Sequence, residues 1–233
     1  MSAAVRAAFF LVPLLAAPLA HADRQAEDAQ LNAAFAVEYD PQQMTALEPG
    51  VIAASGGWAK RDGATLSLNT EKSAAVTLTN DESGCQPDHP DHLKCYDFTL
   101  LAYLPGQHAF LVAESFDEGG KVLMIDDRTG TRTEFTELPR FSPDGKLLLV
   151  ISNDEESNVG TIELWGRDGD MVKKLWTAPD TVGAEQVDFV AWNDDGIQLD
   201  LSFSQGDDKP EHHRPATLAN GKSGWALTFK DGK

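Results

Sequence analysis

The chain has 233 residues, 42% of them apolar and 24% charged, with 37 acidic side chains against 19 basic ones and a formal net charge of -18. This composition fits a folded globular protein and excludes collagenous, low-complexity and multi-span membrane classes. A charge of this sign also disfavours nucleic acid and anionic membrane surfaces, and favours cationic partners or metal ions.

In chain order, the first segment carries Arg6, an apolar stretch from Ala7 to Leu19, and Ala20-His21-Ala22 immediately before Asp23. That is the pattern of a Sec-type signal peptide cleaved after Ala22, so the expected location is periplasmic or secreted. The apolar stretch falls short of the ~20 residues a membrane span needs, and no membrane span is expected. Cleavage removes one basic residue and no acid, which makes the remaining chain still more acidic. Residues 23–57 form an N-terminal segment in which Ala26 to Val37 suits a short helix, while Asp40-Pro41 and Pro49-Gly50 read as turns. Residues 58–233 read as a single β domain.

Cys85 and Cys95 are the only cysteines. In an oxidising compartment an isolated pair most simply forms one disulfide. Closing so short a loop stabilises by ~2–3 kcal/mol in the chain-entropy picture. His89 and His92 lie inside that loop beside Asp88 and Asp91, and His212-His213 lies in a later predicted loop. Four ligands at metal-site spacing are not shown by these residues, so no metal is assigned.

The second half repeats. Tyr103-Leu104-Pro105-Gly106-Gln107, Phe141-Ser142-Pro143-Asp144-Gly145 and Trp192-Asn193-Asp194-Asp195-Gly196 each pair a leading aromatic residue with a turn. An apolar strand-like run follows each one: His108 to Ser115, Lys146 to Asn153 and Ile197 to Ser204. The spacing is near that of a propeller blade with variable loops. Val122-Leu123-Met124-Ile125 before Asp126-Asp127-Arg128-Thr129-Gly130 matches Thr161-Ile162-Glu163-Leu164 before Trp165-Gly166-Arg167-Asp168-Gly169. Both read as a strand entering a hairpin turn that ends in glycine. Thr131 to Phe135 and Met171 to Trp176 then supply a third run, and a fourth leads to the next aromatic turn. An earlier degenerate unit comprises Trp58 to Lys60, Thr65 to Leu68, Ala75 to Thr79 and Tyr96 to Tyr103. A partial last one comprises Ile197 to Ser204, Thr217 to Ala219 and Gly224 to Phe229.

Phe141-Ser142-Pro143-Asp144-Gly145-Lys146 followed by Leu147-Leu148-Leu149-Val150 resembles the blade signature of WD-like repeats in TolB-type periplasmic proteins. The resemblance is best over residues 103–176. It implies a propeller-like scaffold and, by analogy, a binding role, and it carries no catalytic residues. The expected fold is therefore all-β: a small four-bladed or incomplete β-propeller-like meander, with a β-sandwich as the rival arrangement.

Acidic residues recur at one place in the unit, just after the run that follows the aromatic turn. They are Glu114 with Asp117 and Glu118, then Asp154, Glu155 and Glu156, then Asp207 and Asp208. If the units are blades, these connections converge on one negative face suited to a cationic protein or peptide. Asp154-x-Glu156-x-Asn158 alternates oxygen ligands as a calcium loop does. Val159, however, stands where the EF-hand turn needs glycine, and Glu163 comes two residues early.

Nucleophile-elbow, zinc-protease, P-loop and dinucleotide motifs are absent from the sequence, and no cofactor is implied. The leading expectation is an exported non-enzymatic binding protein. The alternatives are an envelope glycan or peptide hydrolase or lyase, with loop carboxylates as general acid and base, and an inhibitor or immunity protein against a cationic toxin or lytic enzyme. The seven aromatic residues Trp58, Tyr103, Phe141, Trp165, Trp176, Trp192 and Trp225 are expected to pack the strands.

Overall fold

The computed structural model describes residues 17–37, 40–81, 83, 85, 95–116, 119–154, 159–179, 182–204 and 212–230. Two helices, α1 (Ala17–Ala36) and α2 (Pro41–Ala54), precede four antiparallel sheets that follow one another along the chain. The first is three-stranded: β1 (Ala59–Asp62), β2 (Thr65–Leu68) and β3 (Val76–Thr79). The second has β4 (Tyr96–Leu104), β5 (Ala109–Phe116), β6 (Gly119–Asp126) and β7 (Arg132–Phe135). The third has β8 (Arg140–Phe141), β9 (Leu147–Asp154), β10 (Val159–Asp168) and β11 (Met171–Thr177). The fourth has β12 (Gln186–Asn193), β13 (Gly196–Phe203), β14 (His212–Gly221) and β15 (Gly224–Phe229). Within each sheet the spatial order is the chain order, so every sheet is a meander.

The expectation of an all-β body made of repeated antiparallel meanders is met. The grouping of strands is corrected. Each strand that leads into an aromatic turn pairs with the strand leaving it: β4 with β5, β8 with β9, and β12 with β13. The fourth run of each expected unit is therefore the first strand of the next sheet. Local pairing wins because a three-residue 3-10 turn, Pro105–Gln107, closes the β4–β5 hairpin at far less entropic cost than the long connection from β3 to β4. Trp165-Gly166-Arg167, expected in a turn, continues β10, and the reversal comes at Gly169, whose φ is 64°.

The sheets stack face to face, and the alternation of side chains shows how. Phe110, Val112, Leu123 and Ile125 point to the first sheet, where they pack with Leu66, Leu68 and Leu78. Their neighbours Leu111, Ala113, Val122 and Met124 point the other way, to Leu148 and Val150 of the third sheet. Leu149, Ile162 and Leu164 then face Val187, Ile197, Leu199, Leu201, Ala216 and Leu218 of the fourth. The two middle sheets are thus buried on both faces. This explains the uninterrupted apolar runs at Leu100–Leu104 and Leu147–Ile151. The outer sheets bury one face, so β13 alternates Ile197, Gln198, Leu199, Asp200, Leu201 in an inside-outside rhythm.

The helices seal the free edge of β4. The Glu48 carboxylate accepts the Leu100 N–H at 2.8 Å, Gln30 accepts that of Tyr103 at 3.0 Å, and Glu27 accepts that of Gly106. An edge strand with its donors satisfied in this way offers no template for further pairing. Helix α1 is longer than the expected Ala26–Val37 and runs through the expected cleavage site, while residues 1–16 lie outside the described residues. Two expected turns are corrected as well. Asp40 is the N-cap of α2, accepting the N–H groups of Gln42 and Gln43, and Pro41 occupies the tolerated first position. Pro49 and Gly50 lie inside α2. Burial of Met44, Glu48 and Val51 on both sides of Pro49 outweighs the lost backbone hydrogen bond.

Cys85 and Cys95 are disulfide-bonded with Cα atoms 4.7 Å apart; residues 86–94, with His89 and His92, lie outside the described residues.

Candidate functional site: the acidic end of the sheet stack

Antiparallel meanders put alternate connections at opposite ends. The connections between β5 and β6, β9 and β10, and β13 and β14 leave equivalent second strands of three consecutive sheets. Their described anchors meet at one end. Ser152 near the end of β9 donates to Glu137, which follows the outer strand of the second sheet, at 3.2 Å. The Asn153 amide bridges to the fourth sheet, accepting the Val187 N–H at 2.9 Å and donating to its carbonyl at 3.1 Å. Val187 in turn pairs with Leu201, close to the end of β13.

Glu114 lies on β5 opposite Lys121, whose ammonium sits 3.4 Å from Glu114 and 3.1 Å from Glu134. Burial opposes the Lys121 charge, but the two carboxylates outweigh it and hold its pKa above the ordinary value. Much of the Glu114 charge is therefore used within the sheet. Asp154 is the last residue of β9. Asp117, Glu118, Glu155, Glu156, Asp207 and Asp208, and with them most of the calcium-like run, lie outside the described residues.

Among these anchors opens a cavity of about 250 Å³ that reaches α1 and strands of the second, third and fourth sheets. Its apolar floor includes Met44, Leu101 and Ala113, and its polar wall includes Glu137, Asn153 and Asp188. Arg140 forms part of the wall with its guanidinium carbon 3.9 Å from the Phe35 ring centroid and 5.1 Å from that of Phe189. A guanidinium between two aromatic faces is a stable arrangement, so this cavity already accommodates a cation of the chain itself.

The opposite end is built differently. Asp126 ends β6 and Asp127 follows it, each 2% exposed. Asp126 accepts from the Arg128 guanidinium at 2.7 Å, from the backbone N–H groups of Arg128 and Thr129, and from Arg167 of the third sheet at 3.3 Å. Burial pushes its pKa up, but these donors prevail and hold it below the ordinary carboxylate value. Arg167 also donates to the carbonyls of Gln107 and His108, which pins the third sheet to the β4–β5 turn. Burial pulls the Arg167 pKa down, against the attraction of Asp126.

Asp127 accepts from the Tyr103 hydroxyl at 3.1 Å and lies 3.0 Å from His108 Nδ1. Burial, then the Asp127 charge, push the Tyr103 phenol well above its usual range. His108 is held in the left-handed region at φ 48°, strain that this network and the Pro105 carbonyl sustain.

Tyr103 also stacks on Phe110 at 4.6 Å, the packing role expected of the aromatic turn residues. His212-His213, expected in a loop, begins β14, and His213 Nδ1 lies 3.1 Å from both Asp200 and Ser202. Among the described residues no group of three or more His, Cys, Asp or Glu side chains is placed to hold a metal ion. The Asp126–Arg167 latch and the Arg140 cavity went unread in the sequence. The one available signal was Asp126-Asp127, two acids directly after a strand deep in the repeat.

The chain matches no family model, no curated protein and no solved structure.

Proposed function

We propose that this protein is an exported, non-enzymatic binding module on a WD-like, TolB-type propeller-like scaffold. It captures a cationic segment of another envelope protein at the acidic end of the sheet stack. The observation that carries this reading is the cavity beside the strands that anchor the β5–β6 and β9–β10 connections, whose wall sets Glu137 and Asp188, with Arg140, against an apolar floor. Lysine or arginine stems suit such a floor while their charged heads meet the carboxylates. The disulfide, and the fact that no helix among the described residues is long and apolar enough to cross a membrane, are compatible with export. The return of the same meander after Tyr103, Phe141 and Trp192 supports the blade-like scaffold.

The test is fluorescence anisotropy with a labelled oligo-arginine peptide. The chain should bind it with an affinity that falls steeply as salt rises. Neutralising Asp117, Glu118, Glu155, Glu156, Asp207 and Asp208 to their amides should weaken binding at least about tenfold. Equal affinity in the two proteins would refute the reading.

A further inference from the structure

On the flank of the stack, near the turn end, β7 and β11 are the outer strands of adjacent sheets, and neither has a partner beyond it among the described residues. Between them lies a groove of about 820 Å³ whose charged lining is Arg132, Lys146, Arg167 and Lys173 against Asp168 and Asp170. In a chain with almost twice as many acids as bases, this is a local reversal of sign. Arg167 is 7% exposed, and its Nε is one of two buried side-chain polar atoms without a hydrogen-bond partner among the described residues. Neither Arg132 nor Lys173 takes part in an ion pair among the described residues. Along the same edge Met171 is 67% and Leu175 44% exposed, so apolar side chains flank the cations in the two-residue rhythm of a strand.

We propose that this groove binds an extended acidic peptide, which adds to β11 as a further antiparallel or parallel strand. On the face shared by Met171, Lys173 and Leu175 one carboxylate meets Lys173 and apolar side chains two residues to either side of it cover Met171 and Leu175, while further carboxylates meet Arg132 and Lys146. Backbone pairing supplies affinity to such a complex, and the side chains flanking the edge supply selectivity. The charge pattern commits the groove to an anionic occupant, unlike the acidic end, and the site stands independently of the function proposed above.

The experiment measures binding of a labelled ten-residue peptide whose odd positions read valine, glutamate, valine, glutamate, valine and whose even positions are glutamate, at about 50 mM salt to preserve electrostatic contacts. The full chain should bind it. R132E/K173E should weaken binding at least about tenfold with an unchanged thermal midpoint, while R132K/K173R should retain it. A peptide methylated on alternate backbone nitrogens should lose binding, because it cannot pair with the edge. The chain with its six acidic loop residues neutralised should bind as well as the parent, which separates this site from the acidic end. Equal binding by R132E/K173E and the parent, or indifference to backbone methylation, would overturn the proposal. So would self-association of the peptide-free parent that R132E/K173E abolishes, since the groove would then serve a second copy.

Discussion

The two ends of the sheet stack are held together by different polar contacts. At the turn end, acids are buried and spent on the protein itself: Asp126 and Asp127 take hydrogen bonds from Arg128, Arg167, Tyr103 and two backbone N–H groups. At the other end, six acids fall in the connections by their place in the sequence, and the anchors that the structure describes are joined by Asn153 to the Val187 backbone and by Ser152 to the Glu137 carboxylate. An acid that is fully satisfied fixes a fold; one left in solvent keeps its long-range field for a partner. The same residue type therefore serves cohesion at one end and, on our reading, recognition at the other.

The comparison breaks most visibly at Arg167. Replacing it with alanine removes the turn-end polar link between the second and third sheets and leaves Asp126 short of a donor in a buried setting. A loss of about 3 kcal/mol is expected, read as a lower urea midpoint. Asn153→Ala cuts the corresponding link between the third and fourth sheets at the acidic end. With two half-buried backbone groups left unpaired, about 2 kcal/mol should be lost.

The pH dependence sharpens the contrast. Because the Asp126 carboxyl is held below its ordinary value of 3.8, its contribution is complete above about pH 4 and fades as pH falls through the native pKa. Asp126→Asn should therefore flatten the acid limb of stability while lowering the plateau near neutrality, as urea titrations across pH would show. The smallest effect is expected at the other end. Amide substitutions of the six acidic connection residues should change stability within about 0.5 kcal/mol, even as they weaken oligo-arginine binding.

The middle of this fold was legible because it obeys simple periodicities. Runs such as Leu147 to Val150 declare strands buried on both faces, and Ile197 to Leu201 declare a strand wet on one. Glycine-ended turns such as Gly130 and Gly145, with φ of 75° and 69°, marked the reversals. Elements governed by tertiary contacts were harder. Helix α2 was hidden by Pro49-Gly50, because local propensity argues against a helix at a place where the Asp40 cap and packing on β4 sustain one. The bulge between Phe189 and Ala191 breaks alternation in β12 and leaves Val190 59% exposed. Of the candidate site, the recurrence of acids was visible, yet Glu114 proved to be paired with Lys121. The cavity was not visible, since Phe35, Arg140 and Phe189 converge from three separate elements.

The most direct test of recognition at one end and cohesion at the other is to map amide chemical-shift changes on adding an oligo-arginine peptide. The account predicts changes concentrated at Ala113, Ile151, Asn153 and Val187, with Gly130, Gly145, Gly169 and Gly196 unmoved. Changes concentrated at those turn glycines instead would contradict it.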